Sequence, residues 1–357
     1  MKRILLITIV LFVGAVQVIA QQEIQSSQFI LNPFLLNPAY SSMDDNYDFK
    51  FGHRSQWVGV EGAPNTTYFS FDTPVNKPRW GRTHPGDFHD WHGTGLAVIR
   101  DRIGPYSNTR VNVNYSYNLK LHQGIKYGYQ HKDGLRMALG AHIGWNQFRV
   151  DENILGMSKT STGTQIANAG INNDPTFRQL NGNGSSAIDF TFGGLLYYGD
   201  RYFLGASTTQ LLQKDVAITD GYTMARHYFF TGTIKQAISE QWYIIPAAIF
   251  KYVKGAPLSA NVSVQVDYED RYFAGVGYRV GDAATFLLGM RYKWGGEVKN
   301  FRVDKHRYIV EVFYSYDATV SRLRNRDFAQ RSTGSHEITL GFLIPPMFHE
   351  RNAEDTW

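Results

Sequence analysis

The run His84-Pro85-Gly86-Asp87-Phe88-His89-Asp90-Trp91-His92 holds three histidines and two carboxylates. Those are ligand types for zinc or a similar ion. The spacing fits no closed motif, so the run reads as a solvated polar loop. Oxygen-rich clusters at Asp44-Asp45-Asn46 and Asn172-Asn173-Asp174 suit calcium chemically but lack the spacing of a calcium loop, and read as turns. Ser335-His336-Glu337 holds the residue types of an acyl-transfer triad. In a strand, however, neighbours point to opposite faces, so His336 cannot join Ser335 and Glu337. No nucleophile elbow, phosphate loop or dinucleotide fingerprint occurs. No catalytic, metal or cofactor site is expected, and the chain is read as a non-enzyme.

One basic run is a candidate for binding. Ser321 to Arg331 carries Arg322, Arg324, Arg326 and Arg331 among apolar neighbours, which suits an acidic or polar partner, lipid headgroups or plain solvation.

The ends of the 357-residue chain bound its setting. Met1-Lys2-Arg3, the apolar stretch Ile4–Ile19 and Ala20-Gln21 form a secretory signal, with Val18 and Ala20 at the cleavage positions. Removing Lys2 and Arg3 takes the net charge from +5 to +3 (5 − 2), too mild to argue for nucleic acid. There are no cysteines, which excludes disulfides, thiolate metal sites and lipoprotein attachment. No later apolar run is long enough for a spanning helix.

What must position any site is a period of two. Val111, Val113, Tyr115, Tyr117 and Leu119 share one face, with Arg110, Asn112, Asn114, Ser116 and Asn118 on the other. Leu135–Trp145 and Tyr308–Tyr316 repeat the pattern. Fourteen such segments are predicted, near 47–57, 66–73, 93–101, 109–119, 135–149, 187–198, 201–209, 226–236, 241–253, 258–268, 271–280, 284–292, 307–318 and 335–343. With 22 Tyr, 23 Phe, 7 Trp and 34 Gly, the pattern predicts an all-β fold: a transmembrane antiparallel β-barrel of about 14 strands in the outer membrane. An even barrel places both chain ends on one side, here the periplasm. The long link near Asp151–Ala187 is then an outer loop, and the links near 74–92 and 293–306 are long for periplasmic turns. Pro246 inside a strand predicts a bulge. Arg54, Gln56, Arg110, Asn112, Asn114 and Asn118 fall on the lumen side. A barrel this wide needs more than its own side chains to fill it, and the Pro-containing stretch Gln21–Asn46 either enters the lumen as a plug or docks on the rim. The expected map is a signal over 1–20, an N-terminal segment over 21–46, the barrel over 47–343 and a short tail over 344–357.

Several short pieces resemble the PorP/SprF family of Bacteroidota outer-membrane proteins over nearly the whole mature chain. They are Asn37-Pro38-Ala39-Tyr40 after Gln28-Phe29, Arg54-Ser55-Gln56-Trp57-Val58-Gly59 with Gly62-Ala63-Pro64, Asp101-Arg102-Ile103-Gly104-Pro105, Asp189-Phe190, Lys254-Gly255-Ala256-Pro257, Tyr314-Ser315-Tyr316-Asp317 and Gly334-Ser335-His336-Glu337-Ile338. The resemblance implies a role in type IX secretion and gliding: helping to secrete or anchor a large surface adhesin through its C-terminal domain. The implied partners are that adhesin, periplasmic or outer-membrane secretion components and the lipid bilayer. An outer-membrane channel for small solutes is the alternative. The candidate partner contacts are Asn37, Pro38, Arg54, Gln56, Trp57, Arg322, Arg324 and Arg326. Trp57 suits an interface anchor better than a ligand contact, and Asn37-Pro38 also suits a rim cap.

Overall fold

The computed structural model describes residues 25–43, 45–77, 90–122, 134–150, 185–213, 224–294, 298–299, 302–303, 308–321 and 331–345. The barrel wall is built from β1 (Tyr47–Ser55), β2 (Asn65–Val75), β3 (Trp91–Ile103), β4 (Tyr106–His122), β5 (Leu135–Val150), β6 (Ser185–Tyr198), β7 (Tyr202–Thr209) and β8 (His227–Ile234). It continues, after the two-residue β9 (Gln236–Ala237), with β10 (Trp242–Val253), β11 (Ser259–Tyr268), β12 (Tyr272–Arg279) and β13 (Ala283–Trp294). A separate two-residue ribbon, β14 (Val298–Lys299) with β15 (Arg302–Val303), stands between β13 and β16 (Tyr308–Thr319), and β17 (Ser335–Ile344) completes the wall.

Each long strand pairs antiparallel with its neighbours, and β1 pairs with β17 from Tyr47↔Ile344 to Ser55↔His336. The fourteen long strands therefore close into a barrel with no free edge, as hydrocarbon requires. All fourteen expected segments are strands. The rim where β1 begins and β17 ends is called the terminal rim below, and the opposite one the far rim.

The period of two sorts the side chains. Val113, Tyr115, Leu139, Ile143, Leu204, Phe286 and Leu288 are exposed on the outside, while Asn114, Ser116, Asn118, His142 and Thr285 are buried inside. Aromatic rings band the outside near the terminal rim, where Trp294 stacks on Tyr292 and Tyr308 and Trp242 lies against Tyr268. Tyr106, Trp145, Tyr252 and Tyr278 are exposed toward the far rim. An apolar band between aromatic girdles is the surface a bilayer takes.

One expectation is corrected. Pro246 causes no bulge: β10 keeps one register with β11 through Pro246↔Val264. On its other side the pairing runs from Val253↔His227 to Ala247↔Thr233 and resumes at Ile244↔Gln236 in the same register. The proline lacks a ladder donor, so the β8–β10 ladder is interrupted at Ile245 and Pro246. Among the described residues the one register shift lies between Lys120 and His122 in β4. The two ends of the described chain lie at opposite rims. Gln25 sits beside Gln56 and Arg279 at the far rim, whereas Ile344 opposes Tyr47 at the terminal rim. The chain before β1 runs lengthwise through the barrel, which separates them.

The expected signal (1–20), the bulk of the link at Asp151–Ala187, the cluster Asn172–Asp174 and all of the tail beyond Pro345 lie outside the described residues.

Candidate functional site

The segment Gln25–Met43 is built from two short 3-10 turns, Pro33–Leu35 and Pro38–Tyr40, each preceded by asparagine. Proline suits the first turn position because its missing N–H needs no partner there. The Asn37 side chain caps the second turn, accepting from the Ala39 N–H at 2.9 Å, while its Nδ2 donates to the carbonyls of Gly194 and Ala206 at 3.0 and 3.3 Å. One side chain therefore shapes the turn and fastens it to β6 and β7.

The wall beneath this turn is made of glycine. A Cβ on Gly140 would stand 2.5 Å from the Ala39 nitrogen, and one on Gly95 would stand 2.8 Å from the Phe34 ring. Gly193 and Gly205 lie in the same way under Asn37, and Gly93 under Ser41 and Ser42. Carbon atoms pack at about 3.5–4.0 Å, so only glycine admits the segment this close. Phe34, Ala39 and Tyr40 then form an apolar cluster with Trp91, Ala97, Ala138, Leu195 and Tyr197. Serines finish the docking toward the terminal rim. The hydroxyls of Ser41 and Ser116 lie 2.7 Å apart, the Ser42 N–H donates to Asp72 at 2.8 Å, and Trp91 Nε1 and Asn118 Nδ2 donate to the Ser42 hydroxyl.

At the far rim the segment is held by charge. Arg54 on β1 donates to Asp317 on β16 at 2.7 Å and to Glu337 on β17 at 3.1 Å. Arg54 faces Glu337 across the strand pair. Arg279 on β12 reaches Asp317 at 3.4 Å and Asp282 at 2.9 Å. Ser27 stands at the centre: its hydroxyl lies 2.6 Å from Asp317 Oδ2 and receives Arg54 at 3.0 Å and Arg279 at 2.8 Å. The Ser27 N–H donates to Glu337 at 2.8 Å, and Gln28 Nε2 donates to the Ser315 hydroxyl and the Glu337 carbonyl. Buried charges persist only when paired and hydrogen-bonded. Here the five ionic groups are completed by a serine from the threaded segment.

Asn37, Pro38, Arg54 and Gln56 are thus all buried inside the barrel, and Asn37 and Arg54 are only 1 % and 2 % exposed. The structure separates them into two groups, Asn37-Pro38 on the glycine wall and Arg54-Gln56 at the far rim. Trp57 is half-buried just beyond β1 with φ 49°, its N–H donating to the Ser335 hydroxyl at 3.0 Å. Arg322, Arg324 and Arg326, together with His84, His89 and Asp44, lie outside the described residues. His92 packs against Tyr115 and Tyr117, and Asp90 accepts from the Tyr117 hydroxyl and the Lys120 N–H. The Lys120 N–H, Tyr117 and nearby cations outweigh desolvation and hold the Asp90 carboxyl below the usual range. Ser335 and Glu337 point inward while His336 lies against Tyr314 and Tyr316, so the three do not converge.

Ser27, Arg279 and the pairing role of Asp317 and Glu337 were missed as site residues. Their signal was present, since a charged residue at an inward position of a membrane strand needs a partner, and Arg54, Asp317 and Glu337 supply opposite signs.

A family model described as type IX secretion system membrane protein PorP/SprF matches residues 18–342. No curated protein matches the chain. Among solved structures, the chain is similar to the Ralstonia pickettii toluene transporter TbuX, with 10% identity, 88% of this chain and 93% of that one covered and a TM-score of 0.47. A Pseudomonas aeruginosa FadL homologue gives 11% identity, 87% and 92% coverage and a TM-score of 0.45. The Pseudomonas putida toluene transporter TodX gives 10%, 88% and 93%, and 0.45.

Proposed function

The chain belongs to the PorP/SprF family of type IX secretion system membrane proteins, and from that premise we propose that it is a plugged outer-membrane adaptor. It holds one exported substrate, a large surface adhesin used in gliding, through the adhesin's C-terminal domain. Its terminal rim faces the periplasm and meets other secretion components there, and the far rim faces outward. The observation that supports this reading over a solute channel is the lumen itself: Gln25–Met43 threads it from rim to rim and is fastened at both ends. A pore whose own chain is clamped by a buried ionic cluster is built to stay filled.

Deleting the gene is expected to remove one adhesin from the cell surface while other exported proteins stay in place. That adhesin co-purifies with the tagged barrel from gently solubilised membranes. Unchanged display of every adhesin contradicts the adaptor reading.

A further inference from the structure

The threaded segment does not fill the barrel evenly. Between the segment and the terminal rim a cavity of about 880 Å³ remains, lined by strands round most of the wall, β8 to β13 among them. That is the size of a small-ligand or peptide pocket. Phe29, Ile30 and Leu31 of the segment line one side of it, and Tyr243, Ile245 and Phe273 line the wall. The Gly199–Arg201 turn and Asp270 mark where it meets the rim.

Several charged groups in this wall are held by partners. Arg291 is held by Asp270 and Glu311 and lies 5.1 Å over the Phe273 ring; Lys293 pairs with Asp270. Lys235 lies 4.9 Å over the Tyr243 ring. Asp267 lines the same cavity and is 1 % exposed; its carboxylate accepts from the Asp270 N–H and lies near Lys235 and Arg291, yet its Oδ1 has no hydrogen-bond partner among the described residues. A buried acceptor left unmet costs free energy, and an arriving donor recovers it. The adjoining β11–β12 hairpin turn takes the left-handed region at Glu269 (φ 55°) and Asp270 (φ 51°), as tight hairpin turns require.

We propose that this cavity receives a lysine or arginine side chain carried on an extended peptide segment that enters from the terminal rim. The apolar stem lies against Tyr243, Ile245 and Phe273, and the cationic head donates to Asp267, the usual way a long basic side chain divides itself between apolar and polar surroundings. The cavity exceeds one side chain, which leaves room for the flanking residues. The site goes beyond the adaptor reading and stands or falls without it.

The test uses the full barrel in lipid nanodiscs and three dye-labelled, N-acetylated pentapeptide amides: Ala-Ala-Lys-Ala-Ala and its norleucine and glutamate analogues. Fluorescence anisotropy is expected to show the lysine peptide binding about tenfold or more tightly than either analogue, the gap expected of a charge-assisted hydrogen bond. Asp267→Asn abolishes the gap. Ile245→Trp, which fills the cavity from the neighbouring strand position without touching the carboxyl, blocks the lysine peptide. Folding of each variant is checked by its heat-dependent gel migration. Equal binding of lysine and norleucine peptides, no binding at all, or an undiminished gap in Asp267→Asn overturns the proposal.

Discussion

A Cβ added to Gly140 would stand 2.5 Å from the carbonyl carbon of Pro38. The strand wall and the threaded turn are therefore fitted to each other at the level of single atoms. Replacing Gly140 with valine forces the turn from its seat, at about 1–3 kcal/mol for overpacking. With no native cysteine in the chain, a cysteine at Ser42 reports the displacement cleanly. Its maleimide labelling is slow in the parent, where Ser42 is fully buried, and is expected to rise severalfold with Gly140→Val. Unchanged labelling means the turn is not seated on Gly140.

Arg54→Leu leaves Asp317 and Glu337 buried with half their compensation removed, since Arg279 reaches only Asp317. Breaking a buried pair from one side costs about 3–5 kcal/mol. The expected result is a barrel that still folds but whose segment near Ser27 is readily cut by an added protease. Arg54→Lys keeps the charge and loses the two-pronged geometry, so it falls between. A protease pattern identical to the parent's contradicts the clamp.

The inside–outside assignment predicts opposite responses to one change. Leu288→Arg puts a charge on the lipid face near the middle of β13 and is expected to cost about 2–4 kcal/mol in refolding titrations into vesicles. Asn112→Arg, on the lumen side of β4, costs far less. Equal costs would mean the faces are misassigned.

Acid acts at Asp90. Its folded-state carboxyl is held below the usual range, so its contribution is present above the unfolded value of about 3.9 and is lost as pH falls through the lower folded value. Asp90→Asn is expected to remove that part of the acid dependence where β3 meets β4, read by hydrogen exchange at the Lys120 amide. An Asn variant with the parent's pH profile contradicts it.

Much of this was legible in the sequence because a membrane wall obeys one rule at every residue. The face of Val113 or Leu139 follows from counting by two, and fourteen strands follow from repeating the count. A proline inside a strand predicts a bulge only if the missing donor shifts the register, whereas β10 keeps its register at Pro246 and skips a rung. The lumen was less legible, because its contacts join residues far apart: Ser27 meets Asp317 and Glu337 across most of the chain. Gly93, Gly95, Gly140, Gly193 and Gly205 all occupy inward positions, and that pattern marks a close approach before the approaching segment is known. Asn37-Pro38 and Arg54-Gln56 were picked out as partner contacts, and the structure shows each engaged within the barrel itself.

The claim that carries the account is that the threaded segment keeps the barrel closed. The most direct measurement is single-channel current across a planar bilayer, comparing the intact protein with a variant lacking residues 25–43. The account predicts a silent intact barrel and steady, large openings once the segment is gone. Steady conductance from the intact protein would contradict it and move the channel reading to the front.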